Sequence, residues 1–234
     1  MSSPTGFSKL SMYDSLEVQP PVGESFLLPG PAGPIEALLT EPRGDGHWGR
    51  SPAPIAIICH PHPLYGGTLT NKVVHIVARA FNEMGVSSLR FNFRGVGQSQ
   101  GEYDHGLGET DDLLAVADWY QQRHPGAPLW LAGFSFGAFV AFRAQTQLRP
   151  RRLLLVAPPV SRFAFPRLQP VLVEDWLVIQ GGQDDVVDPE QVSEWVRQQS
   201  PAPDYRWLED AGHFFHGRLL ELKGLIHEAW VAAD

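Results

Sequence analysis

Residues Leu129 to Val140 constrain this chain more than any other stretch. They read Leu-Trp-Leu-Ala-Gly-Phe-Ser-Phe-Gly-Ala-Phe-Val. An apolar run that predicts a buried strand leads into Gly133-Phe134-Ser135-Phe136-Gly137, and small and apolar residues suited to a packed helix follow. A serine between two glycines at a strand-to-helix junction sits on a sharp turn with its hydroxyl pushed into the open. Side chains at Gly133 and Gly137 would crowd a turn that folds the strand back against its own helix. A bare G-x-S-x-G can be an ordinary turn; the flanking strand and helix make Ser135 a candidate nucleophile.

A serine hydroxyl is a poor nucleophile until a base takes its proton, so a histidine and an acid should follow. Asp175 to Ile179 reads as a second buried strand, and Gln180-Gly181-Gly182-Gln183-Asp184-Asp185-Val186-Val187 comes after it. Tyr205 to Leu208 is a short strand-like run, from which Glu209-Asp210-Ala211-Gly212-His213 turns out. The order is thus Ser, Asp, His, each just past a strand. Asp184 and Asp185 share one loop, and spacing alone leaves both open. Asp188, followed by Pro189 and Glu190, reads as a helix cap with proline in the first turn, which is a structural role. His213 is preferred over His216 because it follows Gly212 directly off the strand, whereas His216 lies on the way into the last helix.

With these positions in place, the chain resembles the α/β-hydrolase superfamily. More narrowly, it is similar to small lidless bacterial hydrolases that carry C-H-P-H-P-x-x-G-G and R-F-N-F-R-G-x-G-x-S. Here those stretches are Cys59-His60-Pro61-His62-Pro63-Leu64-Tyr65-Gly66-Gly67 and Arg90-Phe91-Asn92-Phe93-Arg94-Gly95-Val96-Gly97-Gln98-Ser99. The resemblance runs from about Ile35 to about Ala229. It implies a serine hydrolase fold and mechanism, with Ser135, Asp184 and His213 as triad; the pattern G-x-x-D-x-V-V puts the acid at Asp184. The oxyanion donors it implies are the N–H of Phe136 and an N–H of the loop after Ile55–Cys59. Pro61 and Pro63 have no N–H, leaving His62 or Leu64, and the resemblance favours His62. It supplies no substrate.

Composition agrees. The acidic balance, 26 Asp and Glu against 18 Lys and Arg, argues against a nucleic-acid partner. A single cysteine, Cys59, excludes an internal disulfide framework and suits a reducing compartment. No basic stretch followed by an apolar one opens the chain and no apolar run reaches spanning length, so a cytoplasmic protein without a membrane span is expected. The 234 residues fit one domain over 23–234 after a polar arm over 1–22.

The expected fold class is α/β: a mostly parallel twisted sheet with helices on both faces, an N-terminal antiparallel hairpin and no cap domain. Strands are expected at Glu24–Leu28, Ile35–Thr40, Ile55–Cys59, Val86–Phe93, Leu129–Phe134, Leu153–Val156, Trp176–Ile179 and Tyr205–Leu208. Helices are expected at Asn71–Met84, Thr110–Arg123, Phe136–Leu148, Pro189–Gln198 and Gly217–Ala232. Val73, Val77, Ala80 and Met84 share one face of the first helix, with Asn71 as cap and Gly85 as stop.

Several features invite chemistry and receive plainer readings. Cys59, His60 and His62 match no metal-ligand set, so a loop-shaping role is favoured and no metal is expected. Gly95-x-Gly97 hints at a dinucleotide loop, but the third glycine, Gly101, comes one residue late and no helix follows promptly; no cofactor is expected. Asp111 and Asp112 near a helix start suit the helix dipole. Arg94 lies close enough to a strand end to touch a substrate carboxylate.

The segment Ala157 to Glu174 is too short for a helical cap, which predicts an open cleft for a small-molecule acyl substrate. Leu64, Phe163 and Phe165 are candidate substrate-binding residues, although the two phenylalanines could equally pack the loop down. The expected activity is serine hydrolysis of carboxylic esters through an acyl-enzyme. Thioesterase, acyltransferase and peptidase chemistry would use the same three groups. A catalytically idle binding module is the alternative from another class, disfavoured because such a module has no need of all three. Dehalogenase chemistry is disfavoured because the residue on the sharp turn, Ser135, is serine, not aspartate.

Overall fold

The computed structural model describes residues 19–42, 52–165, 173 and 175–231. Most of the expected arm over 1–22, and of the Gly- and Pro-rich loop between Pro42 and Pro54, lies outside the described residues.

Eight strands form one sheet: β1 (Ser25–Leu28), β2 (Ile35–Thr40), β3 (Ile55–Cys59), β4 (Ser87–Phe91), β5 (Leu129–Phe134), β6 (Arg152–Val156), β7 (Asp175–Gly181) and β8 (Asp204–Leu208). Their order is β1-β2-β4-β3-β5-β6-β7-β8. β1 and β2 form the antiparallel hairpin, β2 is antiparallel to β4, and every pairing from β4 through β8 is parallel. Parallel neighbours need crossovers, and four of them contain a helix: α1 (Lys72–Glu83), α2 (Leu107–Arg123), α3 (Phe136–Leu148) and α4 (Pro189–Arg197); α5 (Leu219–Val231) follows the last strand.

Alternation along the strands divides the core in two. Ile57, Leu89, Leu131 and Val178 point to the side covered by α2, α3 and α4, and Ile58, Trp130, Ala132 and Ile179 to the side covered by α1 and α5. The central strands β3, β5 and β6 are buried along their whole length, as a sheet covered on both faces requires. Asn71 caps α1 by accepting from the N–H groups of Val73 and Val74, and Gly85 leaves it with a positive φ. Asp188 caps α4 ahead of Pro189 as expected.

α2 begins at Leu107, three residues before its expected start. Two glycines disguise the first turn, which side chains close instead: Glu109 accepts from the N–H groups of Asp104 and Gly106, and Asp104 accepts from that of Gly108. The last helix is pinned at its far end. Arg152 pairs with Asp175, donates to the Trp230 carbonyl and lies over the Trp130 and Trp230 rings. Among the described residues, no helix is long and apolar enough to cross a membrane.

Candidate active site

The carboxyl ends of β5, β7 and β8 lead into Ser135, Asp184 and His213, at the usual position for ligands of an open α/β sheet. Ser135 joins β5 to α3 at φ 54° and ψ −120°, a backbone state a serine adopts only when its surroundings force it. The forcing groups are local. A Cβ at Gly133 would collide with the Gly137 carbonyl, and one at Gly137 with the carbonyls of Cys59 and His60. The first turn of α3 is therefore pressed against its own strand and against the end of β3. The Ser135 N–H donates to the Val156 carbonyl at 2.8 Å, tying the turn to β6 as well.

His213 follows β8 and Asp184 follows β7. His213 Nε2 lies 3.0 Å from Ser135 Oγ, and its Nδ1 lies 2.8 Å from Asp184 Oδ2. All three residues are buried. Asp184 Oδ1 accepts from the N–H groups of Val186 (2.9 Å) and Val187 (2.7 Å), and Oδ2 also accepts from Gln180 Nε2 at 3.0 Å. Burial alone would raise the Asp184 pKa; the bonds from His213, Val187 and Val186 outweigh it and hold the carboxyl below its ordinary range. The carboxylate in turn favours the His213 tautomer with its proton on Nδ1, leaving Nε2 to accept from serine. Asp185 and His216 are both exposed. Phe134 and Phe214 set the imidazole between their rings, each 5.0 Å from it.

The loop after β3 closes the other side. His60 is fully buried; its Nδ1 donates to the Pro61 carbonyl at 2.6 Å and its Nε2 accepts from the Phe93 N–H at 3.0 Å, so it ties the ends of β3 and β4 together. His62 Nδ1 accepts from the Leu64 N–H at 3.2 Å, and its Nε2 lies 3.2 Å from Tyr103 Oη. The rings of Tyr65, Tyr103 and Phe136 surround the His62 imidazole at 4.7 to 4.9 Å. A Cβ at Gly67 would strike the Pro61 carbonyl, which accounts for glycine there. Among the described residues, no three His, Cys, Asp or Glu side chains gather as a metal site would require.

Three sequence expectations need correction. Phe165 is fully buried and packs among Phe139, Phe142 and Trp195; it belongs to the core and cannot touch a substrate. Phe163 is half-buried and stacks on Phe139, while Leu64 is exposed beside His62. Asp112 does not serve the helix dipole. It is buried, accepts from the Arg94 backbone N–H and receives the Arg94 guanidinium in a two-pronged bond. Arg94 is thereby committed to Asp112 rather than held ready for a substrate carboxylate. Gln180 and Tyr103 were missed. A polar residue closing the apolar run Trp176 to Ile179 was the available sign for Gln180; Tyr103 left none, because its partner lies far away in sequence.

Similarity to known proteins agrees with this fold. A crystal structure of an α/β serine hydrolase without a lid from Xanthomonas campestris shares 43% identity and a TM-score of 0.84, over 90% of this chain and 94% of that one. The chain belongs to the α/β-hydrolase superfamily. A Coxiella burnetii α/β serine hydrolase homologue matches this hydrolase with 43% identity and a TM-score of 0.85, over 91% and 99% of the two chains. An uncharacterized protein of Rickettsia prowazekii is 38% identical over 213 residues, 85% of each chain. The family model for serine aminopeptidase, S33, matches residues 64–174, a span that holds Ser135 and stops short of Asp184 and His213.

Proposed function

We propose that this hydrolase cleaves carboxylic esters of small molecules through an acyl-enzyme on Ser135. The observation that carries the reading is the continuous hydrogen-bonded run from Ser135 through His213 to Asp184 at the strand ends. His213 Nε2 takes the hydroxyl proton as Ser135 Oγ attacks the acyl carbon, and Asp184 stabilises the imidazolium that results. The tetrahedral intermediate collapses by expelling the alcohol, to which His213 returns the proton. Water then attacks the acyl-enzyme, again deprotonated by His213, and frees the acid and Ser135.

The oxyanion would be held by the N–H groups of Phe136 and His62. The Leu64 N–H is already engaged by His62 Nδ1, which supports His62 over Leu64 as donor. One such donor contributes about 3 to 4 kcal/mol to the transition state. Exposed Leu64, Tyr65 and Phe214, with half-buried Phe163, offer apolar surface to the acyl or alcohol group. The match to the serine aminopeptidase model favours a peptidase as the second reading, using the same nucleophile on an amide.

A fluorophosphonate probe should label the purified protein, and Ser135→Ala should abolish labelling; labelling that survives would move the nucleophile elsewhere. Rates on acyl-nitrophenol, acyl-thiol and aminoacyl-amide substrates then separate esterase from thioesterase and peptidase. Fastest turnover of the amides would replace the ester reading with the peptidase one.

A further inference from the structure

A cleft of about 470 Å³ lies between α1 and the β2–β4 side of the sheet and shares no residue with the Ser135 site. One of the groups lining it is Arg90 of β4, which is 5% exposed. Its Nη1 donates to the Leu69 carbonyl at 3.3 Å and lies 3.4 Å from His75 Nδ1, while its enclosed Nε has no hydrogen-bond partner among the described residues. Among the described residues no carboxylate balances it. Burial is the one influence on its acidity, and it pulls the guanidinium below the ordinary arginine range. Arg94 and Arg152 are also largely withdrawn from water, yet each meets a carboxylate, Asp112 or Asp175. A buried charge without a counter-ion is costly to retain, and Arg90 alone of these three lacks one.

The acids of the cleft do not fill that gap. Glu83 is held by Arg79 at 2.8 Å and Lys223 at 2.6 Å, and Glu41 accepts from the Ser87 hydroxyl. The lining carries Arg79 and Arg90 against Glu41 and Glu83, so the cleft is even in formal charge and the imbalance is local to Arg90, which neither glutamate contacts. Ala78 and Val22 give it apolar surface beside the guanidinium.

We propose that this cleft binds a small organic anion, with its carboxylate or phosphate group against Arg90 and its carbon skeleton on Ala78 and Val22. Thermal unfolding at constant ionic strength, with sodium benzoate and separately with inorganic phosphate titrated against chloride, tests this. Wild type and Ser135→Ala should both show a saturable rise in Tm with at least one probe, and the probe that acts tells carboxylate from phosphate. Arg90→Gln should weaken that binding by at least about tenfold. Arg79→Glu reverses an exposed rim charge without touching the core, and should weaken it about threefold or more; it decides the matter if Arg90→Gln does not fold. No saturable rise with either probe, or a rise of equal strength in both arginine variants, would overturn the proposal. Neither result bears on labelling of Ser135.

Discussion

Acidification from pH 7 to pH 5 should cost this fold about 2 kcal/mol through His60 alone. The imidazole is fully buried between Pro61 and Phe93, and desolvation takes its pKa from 6.5 down to about 4, against a smaller opposing effect of its bond to the Pro61 carbonyl. In the unfolded chain the same ring titrates near its ordinary value. Between those two values the unfolded state holds a proton that the folded state refuses. The stabilisation is therefore complete above about pH 6.5 and declines as the pH falls toward 4. At 1.36 kcal/mol per pKa unit the whole gap is worth about 3 kcal/mol, of which about 2 falls between pH 7 and 5. That is a large fraction of a typical total of roughly 5–15 kcal/mol. Urea unfolding of the wild type and His60→Gln at pH 7, 6 and 5 measures it, since both proteins carry the same other titrating groups. The variant, whatever its stability at pH 7, should lose about 2 kcal/mol less over the interval. Parallel pH dependence in the two proteins would mean that His60 is not held neutral by burial.

Asp184→Asn should lower kcat by roughly 10⁴-fold, because an amide no longer selects the Nδ1–H tautomer of His213; Asp185→Asn and Asp188→Asn should keep most activity, and a dead Asp185 variant would shift the acid by one residue. EDTA should leave the rate unchanged; zinc-dependent turnover that survives Ser135→Ala would instead point to a metal at the His-Pro-His-Pro loop. Gly137→Ala should destabilise the fold by several kcal/mol, since its Cβ meets backbone carbonyls that cannot swing aside; a chemical-denaturation midpoint near that of wild type would show that α3 can shift at little cost.

Much of the architecture was legible because the signals are local. Each strand is an apolar run closed by turn residues, and the expected strands match the observed ones to within two residues at either end. Ser135 announced itself through two glycines whose necessity is now visible as contacts of a missing Cβ. The acid was ambiguous for a physical reason: Asp184 and Asp185 are chemically equal neighbours, and the difference arises where Val186 and Val187 turn their N–H groups onto Asp184 alone. Asp112 and Phe165 were misjudged for the same kind of reason. An aspartate in a helix's second turn looks like a dipole partner until the chain brings Arg94 over it, and a phenylalanine in a short loop looks available until Phe142 and Trp195 close around it.

β8 is one of the two edge strands, paired only with β7 in the sheet and mostly half-exposed, whereas β5, which leads into Ser135, is buried throughout. The imidazole is thus mounted at an edge of the sheet, where local opening costs less, while the serine is mounted at its buried centre, where it costs more. The anchoring of α5 through Trp230, Arg152 and Asp175 restrains this edge but does not pair its open side. A partial detachment of β8 would carry His213 away from a Ser135 still in place, with most of the core untouched. Catalytic competence and global folding then have different thresholds, and the amides of Tyr205 to Leu208 should exchange with solvent well before those of Leu131 and Ala132. Mild heat or denaturant would silence such a molecule reversibly, long before it unfolds.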